Sequence, residues 1–150
     1  MKHAVRVITV ISLLVFVSGC GNRTTVEYLS TPAIKQLKLP FSEAVRVNNT
    51  LYLSGQIGNI PGQMKLVDGG IQAETRQVLE NIKATLQRYG AEMDDIVKCT
   101  VFLVDIAEWP RMNEVYKTFF TVNYPARSAM AGTGLALNAR VEIECIAVVK

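Results

Sequence analysis

Residues 139–149, ARVEIECIAVV, alternate without a break. Val141, Ile143, Cys145, Ala147 and Val149 share one face of the strand that this pattern predicts. Glu142, Glu144, Ile146 and Val148 share the other. The first face is wholly apolar and needs a covering layer. The second is half acidic and half apolar, and a solvent face has no need of Ile146 and Val148. An interface does need them, and accepts a glutamate only if it is partnered. One strand thus asks for helices on one side and another chain on the other. That points to an oligomeric α+β layer protein.

The remaining periodicities agree. AVRVNNTLYLSG reads as a hairpin, with Val45 and Val47 alternating, a turn at Asn48-Asn49, and Leu51-Tyr52-Leu53 resuming. Thr75, Leu79, Ile82, Leu86 and Tyr89 recur at helical steps, so Ile71 to Tyr89 is a helix, and Gly90 stops it. Ile96 to Val104 is a nearly continuous apolar, β-branched strand. Asp105 reads as the N-cap of a second helix, with Glu108 three residues on. That helix carries Trp109, Met112, Tyr116, Phe119 and Phe120, which read as core. RSAMAG and the final run close the order β-β-α-β-α-β-β, a mixed sheet with two helices on one face.

The first nineteen residues are expected to be a lipoprotein signal peptide. Lys2 and Arg6 form a positive region, and the apolar run from Val7 to Val17 is too short to span a bilayer. Ser18 and Gly19 precede Cys20, as in a bacterial lipobox, so Cys20 is the expected lipidation site. Several acyl chains would hold the protein at a membrane where one would not. The expected place is the cell envelope. Gly21 after Cys20 points to the periplasmic face of the outer membrane in a Gram-negative cell. Residues 20–40, polar with two prolines near the end, read as a tether, and 41–150 as the folded domain.

Removing the signal also removes His3, the only histidine. Histidine-dependent nucleophilic catalysis and imidazole zinc sites go with it. Cys99 and Cys145 remain, without a C-x-x-C motif, so no metal is expected. They read as two small buried residues, or as a disulfide if their strands are adjacent. The processed chain keeps 14 basic and 13 acidic residues, which is no footprint for nucleic acid.

LYLSGQIG, VLENIKATLQRYGAEMDDIVKCTVFLVDI, MNEVYKTFF, YPARSA and VEIECIAVV, in this order, resemble the Rid/YjgF family of reactive enamine and imine deaminases. The resemblance runs from about Phe41 to the C-terminus. It implies a chorismate-mutase-like protomer and a homotrimer with clefts between subunits. It implies cofactor-free hydrolysis of 2-aminoacrylate and related imino acids to 2-keto acids and ammonium.

Arg127, at the mouth of a strand, matches the arginine of the ARS motif that the family uses on the substrate carboxylate. A guanidinium fork suits that task. The alternative is a structural salt bridge to an acid of a neighbouring chain. Glu142 matches the first glutamate of EIE, which orients the attacking water, and could act as general base. Phe41 stands where a pocket tyrosine is usual, Gly55 where backbone approaches the ligand, and Asn113 where an asparagine lines the cleft. Ala129 replaces a frequent cysteine. These departures leave a second function open, a non-catalytic carboxylate-binding or assembly module on the same fold.

Overall fold

The computed structural model describes residues 23–149. The expected signal peptide and lipidation site, Cys20, lie outside the described residues. Seven strands form one mixed sheet: β1 (Val26–Leu29), β2 (Ala44–Val47), β3 (Thr50–Leu53), β4 (Gln56–Ile57), β5 (Ile96–Leu103), β6 (Ala126–Ala131) and β7 (Val141–Val148). The order is β1-β2-β3-β7-β5-β6, and β4 also pairs with β7. Only the β5–β6 pairing is parallel. It is connected through α3 (Trp109–Tyr116), because parallel neighbours need a crossover.

The long helix α2 (Gly70–Arg88) buries Ile71, Val78, Leu79, Ile82 and Leu86. They meet Val141, Ile143, Cys145 and Ala147 of β7 and Cys99, Val101 and Leu103 of β5 in one core. Each such side chain contributes about 1.5–3 kcal/mol of burial, so α2 is held by its stripe rather than by propensity. Truncating Ile82 alone should cost about 2–5 kcal/mol. Gly90 has φ of +74°, the left-handed step that ends a helix cheaply only at glycine.

The α+β layer is as the alternation of β7 requires, with α2 and α3 covering its apolar face. Two local expectations are corrected. Residues 26–29, read as tether, pair antiparallel with β2, and Pro32–Gln36 forms the short helix α1, capped by Thr31. Glu43 holds this segment by accepting from the Thr31 amide at 2.6 Å, the Tyr89 hydroxyl and Arg88. Trp109, read as core, is 42% exposed at the first position of α3; Met112, Tyr116 and Phe120 are buried as expected.

Cys99 and Cys145 are register partners on β5 and β7, 4.2 Å apart at Cα, and form a disulfide. Both are buried on the helix side of the sheet. Of the two readings left open for them, the structure takes the bridge.

Candidate functional site

Arg127 sits on β6, an edge strand, opposite Cys99. Side chains of register partners point the same way, so Arg127 lies on the helix face. Its Nη1 donates to Asn113 Oδ1 at 2.7 Å, and its guanidinium carbon stands 4.5 Å from the centroid of the Tyr116 ring. Asn113 and Tyr116 are three residues apart on α3, and hence on one helix face. A stacked cation of this kind gains about 1–2 kcal/mol when partly desolvated. Burial pushes the Tyr116 hydroxyl up to about 12, with Arg127 opposing, so the phenol stays neutral and serves through its ring. The two salt bridges among the described residues are Arg88–Glu43 and Arg140–Glu108. Arg127 is half-buried and oriented, and among the described residues no acid pairs with it.

Beside the guanidinium is a notch of about 220 Å³, walled by Ala129, Ile106 and Trp109. Ala129 shares Arg127's face two residues along β6, and Trp109 precedes Asn113 by about one helical turn. A larger groove of about 500 Å³ runs past Arg76, Glu80, Lys83 and Asp94. Its charges alternate in sign and stand in solvent, which selects for no particular ligand.

Glu142 lies on the open face. It is opposite Phe102 of β5 and Ile57 of β4. Glutamate and backbone meet closely there: a Cβ at Gly55 would overlap Glu142 Oε1 and lie 2.9 Å from its Cδ. Gly55 sits in the break between β3 and β4, so the residue expected for backbone approach is the one that makes room for the glutamate. Burial raises the Glu142 carboxyl above its ordinary value of 4.5, and Glu144 adds to the rise. Among the described residues no hydrogen bond reaches its carboxylate. Phe41 is 55% exposed, and the next residue, Ser42, accepts through its carbonyl from Ser54 Oγ at 2.6 Å, beside this break.

The expected residues thus fall into two groups. Arg127, Asn113 and Ala129 meet at the β6 edge on the helix face. Glu142 and Gly55 meet on the open face, with Phe41 next to Ser54. The two groups are not joined within one chain: Arg127 aligns with Cys99 and Cys145, three residues from Glu142, which inverts the face. Sequence reasoning missed Tyr116, Trp109 and Ile106 as parts of the arginine's surroundings. The spacing of Trp109, Asn113 and Tyr116, four and three residues, held that information.

Fold and geometry together define a class: small two-layer α+β proteins with an anchored guanidinium at the sheet edge and a half-buried carboxylate on the open face. The chain belongs to the Rid/YjgF family, whose family model, described as Endoribonuclease L-PSP, matches residues 31–149. It is similar to a 2-iminobutanoate/2-iminopropanoate deaminase of Dermatophagoides farinae, with 43% identity over 81% of this chain and 95% of the relative. The human protein of that name is 42% identical over 73% of this chain and 80% of its own length. Among solved structures, yeast Mmf1 superposes with a TM-score of 0.75 at 37% identity, covering 84% of this chain and all (100%) of that one. E. coli TdcF with bound serine gives 0.71 at 35% identity, covering 75% and 90%.

Proposed function

We propose that this protein hydrolyses small reactive enamines and imines, 2-aminoacrylate and its kin, to 2-keto acids and ammonium, without a cofactor. The observation that carries this reading is the state of Arg127. Its guanidinium is fixed by a neutral amide and an aromatic ring, and among the described residues no acid neutralises it. Such a group is prepared for a ligand carboxylate. The deaminase relatives at 42–43% identity support the reaction class.

In this reading Arg127 binds the substrate carboxylate, and the enamine tautomerises to the imine. Water adds to the C=N carbon while Glu142 takes its proton. That proton passes to nitrogen, giving a tetrahedral amino alcohol. The hydroxyl proton then follows through Glu142 to nitrogen as the C–N bond breaks, so that ammonia leaves, the C=O of the 2-keto acid forms and Glu142 is ionised again. A carboxylate whose pKa is raised by burial is a stronger base than an exposed one. Because Arg127 and Glu142 lie on opposite faces, the complete site would combine the β6 edge of one copy with the open face of the next. The exposed Tyr52 and Met130 on that face support a homotrimer with three such clefts.

The same proposal places the protein on the cell envelope, anchored through a lipid on Cys20. Its support is the order of charge, apolar run, small residues and cysteine in residues 1–20. Labelling with radioactive fatty acid should mark the chain, and Cys20→Ser should abolish the mark; labelling of both alike would end the claim.

The test of function is direct. An amino-acid lyase generates 2-aminoacrylate in the cuvette, and the decay of its imine is followed with and without the protein. Faster decay that vanishes in Arg127→Ala is expected. No acceleration from a folded protein would reject this substrate class and favour the carboxylate-binding or assembly role.

A further inference from the structure

A row of three residues crosses the sheet at Arg127. Cys145 of β7 is the register partner of Cys99 on β5, and Cys99 is the partner of Arg127 on β6. All three point to the helix face. The bridged Cys99 and Cys145 are 1% and 2% exposed, and they share one buried cluster with Tyr116, the ring on which Arg127 stacks. Among the described residues, the edge strand β6 pairs with β5 alone, so the place of Arg127 is set through β5. The register of β5 on β7 is not the one that plain alternation would give. Ile96 opposes Ala147 while Lys98 opposes Ile146, so Val97 is an extra residue, a bulge. The bulge lets Ile96 and Cys99, three residues apart, both be buried in the core. A slip of one residue would turn Cys99 to the other face and carry β6 with it. Only the bulged register sets the two cysteines opposite each other, so only that register allows the bridge.

We propose that the Cys99–Cys145 bridge is a positioning element for Arg127, and that the oxidised chain is the competent form. The inference rests on the deaminase reading above for its turnover readout; its binding readout stands without it. Two unbonded sulfurs need more room than a bonded pair. Val101 and Ile143, the register pair two residues along on the same face, are fully buried, so the core beside the bridge is closed-packed and does not give. The edge strand β6 is free to give. Reduction therefore displaces Arg127 from Asn113 and Tyr116 rather than opening the core. The step is balanced: an external pair of thiols supplies two electrons and two protons to the two sulfurs, and leaves as a disulfide. Burial shields the bridge from such thiols once the chain is folded. It must then form during folding, in a compartment that does not keep thiols reduced.

The full chain is refolded from urea in air and, separately, with an excess of a dithiol reductant. Circular dichroism checks that each preparation is folded. Alkylation with mass mapping finds any free thiol on Cys99 or Cys145. Calorimetry with pyruvate, a stable 2-keto acid, reads the carboxylate anchor, and decay of a 2-imino acid made in situ reads turnover. We expect neither thiol to be free in the chain refolded in air. The reduced, folded chain should bind pyruvate about tenfold more weakly and lose kcat/KM by at least as much. Reoxidation should restore both. Cys99→Ala with Cys145→Ala should also bind weakly, and should ignore the reductant. A bridge that only stabilises would shift the urea midpoint and leave Kd and kcat/KM of the folded chain unchanged, and that result would overturn the proposal. So would free thiols on both cysteines of a fully active chain, or failure of both the reduced chain and the double variant to fold. Redox-dependent binding without turnover of any imine would overturn the deaminase reading and leave the positioning role standing. Turnover indifferent to reduction would do the reverse. No pyruvate binding by the oxidised chain would overturn both.

Discussion

Arg127 and Glu142 lie on opposite faces of one sheet, on strands β6 and β7 that flank β5. The arginine looks toward α3 and the glutamate toward the uncovered side. No side-chain rotation brings them to one ligand within a single chain. If both act on one substrate, they come from different copies.

That relationship predicts complementation. Arg127→Ala and Glu142→Gln should each be inactive alone. Co-expressed in equal amounts as mixed trimers, they should recover about one quarter of wild-type activity, since random assembly restores both groups at that share of interfaces. Size-exclusion chromatography checks assembly and an imine-decay assay reads the result. Activity no greater in the mixture than in the parents would put both residues in one chain's site, or outside it.

Arg127→Lys should lower kcat/KM by about 100-fold or more, although charge is kept. Lysine offers no planar fork and stacks poorly on Tyr116. Steady-state kinetics with a 2-imino acid made in situ measures the loss. Circular dichroism should be unchanged, because Arg127 lies on an edge strand.

The rate should rise with pH through an acid limb set above the ordinary glutamate value of 4.5, because burial, and then Glu144, favour the protonated form of Glu142. The base works only when ionised, so activity falls as pH drops through the raised value. Glu142→Gln should remove the limb and lower kcat by about 10²–10⁴-fold. Glu144→Gln should shift the limb toward lower pH, since one negative neighbour is gone.

Glu74 carries a separate, structural pH effect. It is a buried residue of α2 and accepts from the Arg140 amide at 2.8 Å, and burial raises its carboxyl above 4.5. A raised folded value means that the native state holds its proton more tightly than the unfolded chain does. The associated stability is complete below about 4.5 and is lost as pH climbs through the raised value. Urea unfolding of Glu74→Gln should lack this loss, so its stability relative to wild type should increase between pH 5 and 8.

The Cys99–Cys145 bridge closes a loop across a sequence separation of 46. Chain entropy puts its stabilisation at about 4 kcal/mol. Cys99→Ala with Cys145→Ala should lower the urea midpoint accordingly. A reductant should do the same to wild type and nothing to the double variant.

Local signals made much of this structure readable. α2 (Gly70–Arg88), β5 (Ile96–Leu103) and β7 (Val141–Val148) coincide closely with the expected spans, because each carries a long run at its own period. In the structure Asn113 accepts from Arg127, and Gly55 leaves room for Glu142. β1 was hidden because its four residues gain order only by pairing with β2, and so short a run carries no period that names its partner. The exposure of Trp109 was hidden because helical periodicity reports which face a residue occupies, but not how far along the helix that face stays covered.

By itself, then, the sequence determined the two-layer fold: one strand with an apolar face and a mixed one demands helices on the first side. It also marked the arginine, the glutamate and the cleft asparagine. Only the tertiary structure decided that Cys99 faces Cys145, that Tyr116 backs the guanidinium, and that Arg127 and Glu142 point apart. Those relations depend on strand register and on which strands are neighbours. Both are set by packing among segments far apart in the chain, and no local period encodes them.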